Sequence, residues 1–305
     1  MTAPTALVIG SGFGGLAAAI RLSCKGYRVQ VLEKLDAPGG RAYVHRQDGF
    51  TFDAGPTIIT APHLLEELWT LCGKNFSDDI TLAAMEPFYR IRFDDGSWFD
   101  YSGDDEAMRR EIARFSPDDL PGYERFVAAA DQACHLGFEE LGHKPFDSLS
   151  DLIAAMPSMV RMKAWQSLYS MVAGYIRDPK LRMVFSFHPL LIGGNPFSVT
   201  RVYSLINTLE RRWGVHWAMG GTGALIKGMV KLLEERGVNV RLNSPSHELM
   251  SNMVAQPVSR WLMVKALPPT SWCQMATPRG PIEISSIRNG ARPGLSTRSR
   301  RVNTQ

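Results

Sequence analysis

The sequence predicts an α/β fold interrupted by a mainly helical insertion, and three observations predict it. A strand, helix, strand pattern opens the chain around Gly10-Ser-Gly-Phe-Gly-Gly15; a central stretch, residues 104–215, carries helical spacing; and a second glycine-opened helix after Gly220-Gly-Thr-Gly223 again feeds a strand. The chain has 305 residues, 45% hydrophobic and 21% charged, which is ordinary for a globular protein and long enough for about two domains. The expected organisation is 1–103 as the first part of an α/β domain, 104–215 as the insertion, 216–245 as the return, and 246–305 as a divergent basic tail of poor structure.

Ala6-Leu-Val-Ile9 is short, apolar and followed by glycine, so it reads as a buried strand. Leu16 to Ser23 is apolar and helix-forming, and Gly26 ends it before a second strand, Val29-Gln-Val-Leu32. Pro38 to Arg41 is a loop, and alternating stretches follow from Tyr43 to Asp53. Leu64, Leu65, Leu68 and Leu71 have helical spacing; Phe88–Phe93 and Trp98–Tyr101, joined through Asp94-Asp-Gly96, read as a hairpin. In the centre, helices are expected near 105–115, 121–140, 158–172, 179–188 and 199–212. An amphipathic helix over 224–236 and a strand over 238–241 return the chain to the α/β layer; beyond Asn243 neither convincing strands nor a long helix are expected.

Gly10, Gly12 and Gly15 fit the GxGxxG pattern, with Gly14 inside it, and position supplies what the bare motif lacks. The first glycine permits a tight turn, the second admits a diphosphate to the backbone, the third lets helix pack on strand, and the helix N-terminus offers unpaired N–H groups. Glu33 ends the second strand, where an acid accepts hydrogen bonds from ribose hydroxyls and disfavours a 2′-phosphate. NAD and FAD both remain at this point. Arg41 after Pro38-Gly-Gly40, and then Ala54-Gly-Pro56, add a cation and a second glycine turn, the anchors a longer cofactor needs, and these favour FAD.

An ordered series of segments resembles the bacterial and fungal type of phytoene desaturase: Val8 to Leu16, Glu33-Lys34, Pro38 to Ala42, Gly49 to Thr57, Pro87-Phe-Tyr-Arg90, Phe185-Ser-Phe-His188, Gly193 to Phe197 and Gly220 to Ala224. The resemblance runs from about residue 5 to residue 244. It implies noncovalent FAD in a glutathione-reductase-like, Rossmann-type domain, held by Gly10, Gly12, Gly14, Gly15, Glu33, Lys34, Gly40, Arg41, Gly55 and Pro56. It further implies stepwise desaturation of phytoene toward lycopene-type carotenoids by hydride transfer to flavin, with Asp151 as a candidate for proton handling. Such a hydrocarbon offers little to hydrogen-bond, so apolar burial must hold it. Phe185, Phe187, Leu191 and Phe197 are the candidate tunnel lining; ordinary core packing is the competing reading, and His188 reads as a core histidine. The alternatives are another FAD oxidoreductase of the amine-oxidase type and a noncatalytic dinucleotide- or lipid-binding remnant.

Composition narrows the partners. Cys24, Cys72, Cys134 and Cys273 form no CxxC and the seven histidines no HExxH, so neither a disulfide framework nor a metal site is expected. No apolar run reaches the roughly 18 residues of a spanning helix. The expected location is therefore cytoplasmic and peripheral to the membrane, with the membrane surface and a lipid-soluble polyene as partners and no nucleic acid. The net charge of +4 comes from 34 Lys/Arg and 30 Asp/Glu, of which eight and two lie from Ser246 onward, leaving the first 245 residues at −2. That tail lacks the second flavin-contacting motif of the resembled family and reads as the product of a shifted reading frame with an early stop, which sets the activity of the chain apart from its ancestry. The competing reading is a basic extension for an anionic partner.

Overall fold

A computed structural model describes residues 3–140 and 149–244 and the strands 261–266, 282–287 and 299–301; residues 140 and 149–152 and these three strands are described by backbone alone. The chain forms two compact units, Met1–Ala83 with Trp217–Gln305, and Ala84–His216.

The first unit opens with β1 (Thr5–Ile9), α1 (Phe13–Cys24) and β2 (Arg28–Leu32). β1 and β2 pair in parallel, Thr5 opposite Arg28 through Ile9 opposite Leu32. Ala6, Leu7, Val8 and Val31 are buried, the near-continuous apolar run of strands covered on both faces. The run Leu16-Ala-Ala-Ala-Ile20 is buried too, and its small side chains bring α1 close to the sheet. A 3₁₀ turn over Gly40–Ala42 leads to the hairpin β3 (Val44–Gln47) and β4 (Phe50–Asp53), then to α2 (His63–Leu71) and β5 (Leu82–Ala84). Buried Arg21 of α1 forms a two-pronged ion pair with Glu67 of α2 at 2.9 and 3.0 Å.

The second unit contains the hairpin β6 (Tyr89–Arg92) and β7 (Trp98–Tyr101) and helices α3 (Asp105–Phe115), α4 (Leu120–Cys134), α5 (Leu149–Arg161), α6 (Leu168–Ala173), α7 (Pro179–Ser186) and α8 (Leu205–Trp213). It begins at Ala84, twenty residues before the boundary expected at 104. The reason is packing: Phe99 and Tyr101 of β7 are fully buried among Met108, Ile112, Phe126 and Phe185, so the hairpin belongs to the helical core. The single helix expected over 158–172 is two, because Lys163 takes a left-handed conformation (φ 49°) and Ser167 then caps α6 by accepting from the Ser170 N–H. The segment expected as a helix from 199 starts with a 3₁₀ turn, Arg201–Ser204, before α8.

The chain returns through β8 (His216–Ala218), α9 (Thr222–Glu235) and β9 (Val240–Arg241), which lies parallel to β2. Three further strands follow: β10 (Trp261–Ala266), β11 (Ile282–Ile287) and β12 (Ser299–Arg301). The six-stranded sheet has the order β12-β11-β10-β1-β2-β9, with β10 parallel to β1 and the last three strands antiparallel in sequence. The expectation of a tail without strands is therefore corrected. β1 has a second edge of N–H and C=O groups to satisfy, and Trp261-Leu-Met-Val264 is an apolar run suited to it, too short to stand out by periodicity.

Candidate cofactor site

The site is built where β1 gives way to α1. Gly12 caps α1 without a side-chain hydrogen bond, and the first turn holds no acidic residue, so its N–H groups are left for an anion. A Cβ at Gly15 would overlap the carbonyl oxygen of Gly10, which explains why the third position must be glycine. Gly14 lies in the first turn, half-exposed. The loop Gly39–Gly40 lies alongside: the Gly39 N–H donates to the Ser11 carbonyl at 3.0 Å, and Gly12 and Gly39 form an isolated parallel bridge.

Glu33 is buried at the end of β2, and its carboxylate is held rather than free. One oxygen accepts from the Ser11 N–H and the Ser11 hydroxyl, both at 2.7 Å, and the other from the Leu35 N–H at 3.0 Å. The glutamate thus fixes the glycine loop to the strand end and presents its remaining lone pairs at a set place. Lys34 and Arg41 are both exposed at this rim, Arg41 on the 3₁₀ turn. Tyr43 donates to Asp36 at 2.9 Å beside them.

The second glycine turn packs against the first loop. A Cβ at Gly55 would come within 2.7 Å of the Ala42 Cα and the Arg41 carbonyl oxygen. The Pro56 carbonyl accepts from the Thr222 hydroxyl at 2.6 Å, and one Asp53 oxygen accepts from the Thr222 N–H at 3.2 Å, which ties this turn to the start of α9. The other oxygen of Asp53 is buried with no hydrogen-bond partner among the described residues. Two glycine cradles, an open helix N-terminus, an oriented acid and an orphaned carboxylate oxygen suit a long dinucleotide cofactor with a diphosphate. Ser11, Asp53 and Thr222 were not singled out from sequence; their neighbours in the glycine motifs were the only signal.

Residues 13–254 match the family described as "Flavin containing amine oxidoreductase". The chain belongs to this family. The cofactor that the cradle of this amine oxidoreductase family member fits is FAD. The chain is 47% identical over 252 residues to a lycopene-forming phytoene desaturase of Pseudescherichia vulneris, covering 82% of this chain and 51% of that one. It is 46% identical over 248 residues to a neurosporene-forming phytoene desaturase of Cereibacter sphaeroides, covering 81% and 48%. It thus spans about half the length of the curated relatives it matches. Among solved structures, a protein of Pyrococcus furiosus matches with a TM-score of 0.52 at 19% identity, over 78% of this chain and 51% of that one. A putrescine oxidase variant matches with 0.51 at 20%, over 80% and 51%. At these identities the structures establish the fold.

The remaining candidates lie in the second unit and in different settings. Phe185 is buried among the rings of Phe99, Tyr101, Tyr123 and Phe126, with centroids 5.1–6.3 Å away. Phe187 is half-buried against Tyr89 at 5.2 Å and His188 at 4.3 Å, Leu191 is half-buried, and Phe197 is exposed, its ring tilted against Tyr169 with centroids 4.5 Å apart. His188 is buried as expected of a core histidine, and its Nε2 lies 2.9 Å from Glu210, which also accepts from Tyr89 at 2.7 Å. Burial, with the Glu210 carboxylate next to it, pushes the Tyr89 phenol well above its ordinary range, so Tyr89 stays the donor. Asp151 is in the first turn of α5, and its side chain lies outside the described residues.

Proposed function

We propose that this chain serves the FAD-dependent dehydrogenation of a long, lipid-soluble polyene of the phytoene type, stepwise toward lycopene-type carotenoids. The observation that carries the reading is the 47% identity to a lycopene-forming phytoene desaturase over 252 residues, a length that cannot be placed outside residues 84–216 and so includes the helical unit. FAD, when bound, supplies the hydride acceptor. The chain's own residues do the holding. The α1 N-terminus and the loops around Gly12 and Gly40 receive the diphosphate, Glu33 orients the ribose, Lys34 and Arg41 offset negative charge, and Gly55 and Pro56 bring the backbone close to the rest of the cofactor. In the second unit, Phe187, Leu191 and Phe197 offer apolar contact to the polyene, Phe185 belongs to the buried core of the same unit, and Asp151 is the candidate for proton handling.

A substrate soluble only in lipid calls for a membrane surface. α5 exposes Ile153, Met156 and Val160, three apolar residues at one-face spacing, and the exposed cations Arg161 and Lys163 follow at its end. Among the described residues no helix is long and apolar enough to cross a membrane. These features support peripheral association with the cytoplasmic membrane face.

The test is to incubate the purified chain with FAD and phytoene in liposomes, beside a full-length relative, and record the visible spectrum of the extracted lipid. New long-wavelength polyene bands are expected; a colourless extract beside a coloured control overturns the reading for this chain.

A further inference from the structure

Cys24 is the last residue of α1 and Cys72 caps the C-terminal end of α2, and their sulfur atoms lie 3.7 Å apart in the first unit. Nothing in the cofactor site uses them. Both are free thiols, partly exposed, and the Cys24 thiol points at the Leu71 carbonyl, 3.4 Å away. Their proximity is built into the helix pair, because the buried Arg21–Glu67 ion pair joins the same two helices about one turn earlier on each. From the far side Arg236 is anchored on Ser23, donating to its hydroxyl at 2.7 Å and its carbonyl at 2.9 Å. Its charge favours a thiolate at Cys72 less than burial disfavours one, and Glu235, paired with Lys74 at 2.8 Å, opposes it.

We propose that Cys24 and Cys72 are an oxidation site that hydrogen peroxide converts to a reversible disulfide linking α1 to α2. One peroxide oxygen passes to the Cys24 sulfur, giving a sulfenic acid and one water; the Cys72 sulfur then attacks it, the S–O bond breaks, and a second water leaves as the S–S bond forms. The two thiols together lose two protons and two electrons, and with these one peroxide is reduced to two waters. Burial, and then the neighbouring Cys24 sulfur, push the Cys72 thiol up to about 11. Bond formation needs the sulfurs to close from 3.7 Å to about 2.05 Å, a movement within reach of side-chain rotation at two helix ends. The closed loop, between residues 48 positions apart, would contain Glu33, Arg41 and Gly55 and so staple the cofactor-binding segment.

The full chain is treated with equimolar hydrogen peroxide, alkylated under denaturing conditions, digested and analysed by mass spectrometry. A peptide joining Cys24 to Cys72 is expected, lost on treatment with dithiothreitol, while buried Cys134 is recovered alkylated. Recovery of Cys24 and Cys72 alkylated to the same extent as Cys134, or cross-links to Cys134 as frequent as between the pair, overturns the proposal. As a second readout, peroxide should raise the melting temperature of the parent chain by several degrees and leave that of Cys72→Ser unchanged. Equal shifts in both would sink it.

Discussion

At the scale of single residues, the strongest constraint is the hold of Glu33 on Ser11. Replacing Glu33 with alanine strips the Ser11 N–H of its acceptor inside a buried loop, so the chain should lose about 1–3 kcal/mol of stability, together with much of its affinity for FAD. Denaturant melts and a flavin-fluorescence titration separate the two effects, and normal FAD affinity in the Glu33→Ala variant would contradict the proposed site. Gly15→Ala acts through space alone, since the added methyl meets the Gly10 carbonyl; it should cost about 1–3 kcal/mol and displace the α1 N-terminus from the diphosphate position. Glu210 is the corresponding constraint of the second unit. It is fully buried and hydrogen-bonded to His188 and Tyr89, so Glu210→Ala, which leaves both buried partners unsatisfied, should cost about 1–3 kcal/mol, a loss readable in the same melts.

Elements add effects that no residue carries alone. α9 is tied to the turn after α2 by Lys231, which donates to Asp79, while the Trp69 indole donates to the other Asp79 oxygen at 2.8 Å. Lys231 hydrogen-bonded to Asp79 holds its carboxyl below the usual range, with burial opposing and Trp69 assisting. A depressed folded value means that the stabilisation is present at pH above the ordinary carboxylate value of about 4 and is lost as pH falls through the lower folded value. Asp79→Asn should therefore lower the melting temperature at pH 7, and the gap from the parent chain should shrink below pH 4; a gap independent of pH would show that the charge is not what matters. The exposed face of α5 permits a different kind of test. Ile153→Glu with Val160→Glu should leave stability within about 0.5 kcal/mol, since neither side chain is in the core, and should abolish sedimentation with liposomes. Unchanged sedimentation would remove α5 from the membrane contact.

For the molecule as a whole, the discontinuous first unit is the consequential feature. Its cofactor cradle draws on chain segments on both sides of the second unit, because Asp53 and Pro56 hold Thr222 at the start of α9. Binding of FAD should therefore stabilise the first unit as a whole, by about 2.7 kcal/mol at a hundredfold excess over the dissociation constant. Differential scanning fluorimetry with and without FAD measures it, and Thr222→Val should reduce the shift without contacting the glycine loop. The helical unit has its own core around Phe99, Tyr101 and Phe185, and the polyene contact proposed for Phe187, Leu191 and Phe197 would be built on it.

Sequence by itself determined the parts that depend on neighbours along the chain. The GxGxxG turn, Glu33 at the strand end, the glycine turn at Gly55 and the glycine-opened α9 were legible because strand, helix and turn preferences act over a few residues, and the family resemblance rests on the same segments. Only the tertiary structure decided what depends on distant segments meeting. It placed the hairpin with the helical core through Phe99 and Tyr101, gave β1 a second partner in Trp261–Ala266, clamped Glu33 to Ser11, and set Cys24 beside Cys72. The physical reason is that burial, cross-chain hydrogen bonding and sulfur proximity are properties of packing, and local pattern carries no record of which far segment fills the opposing space.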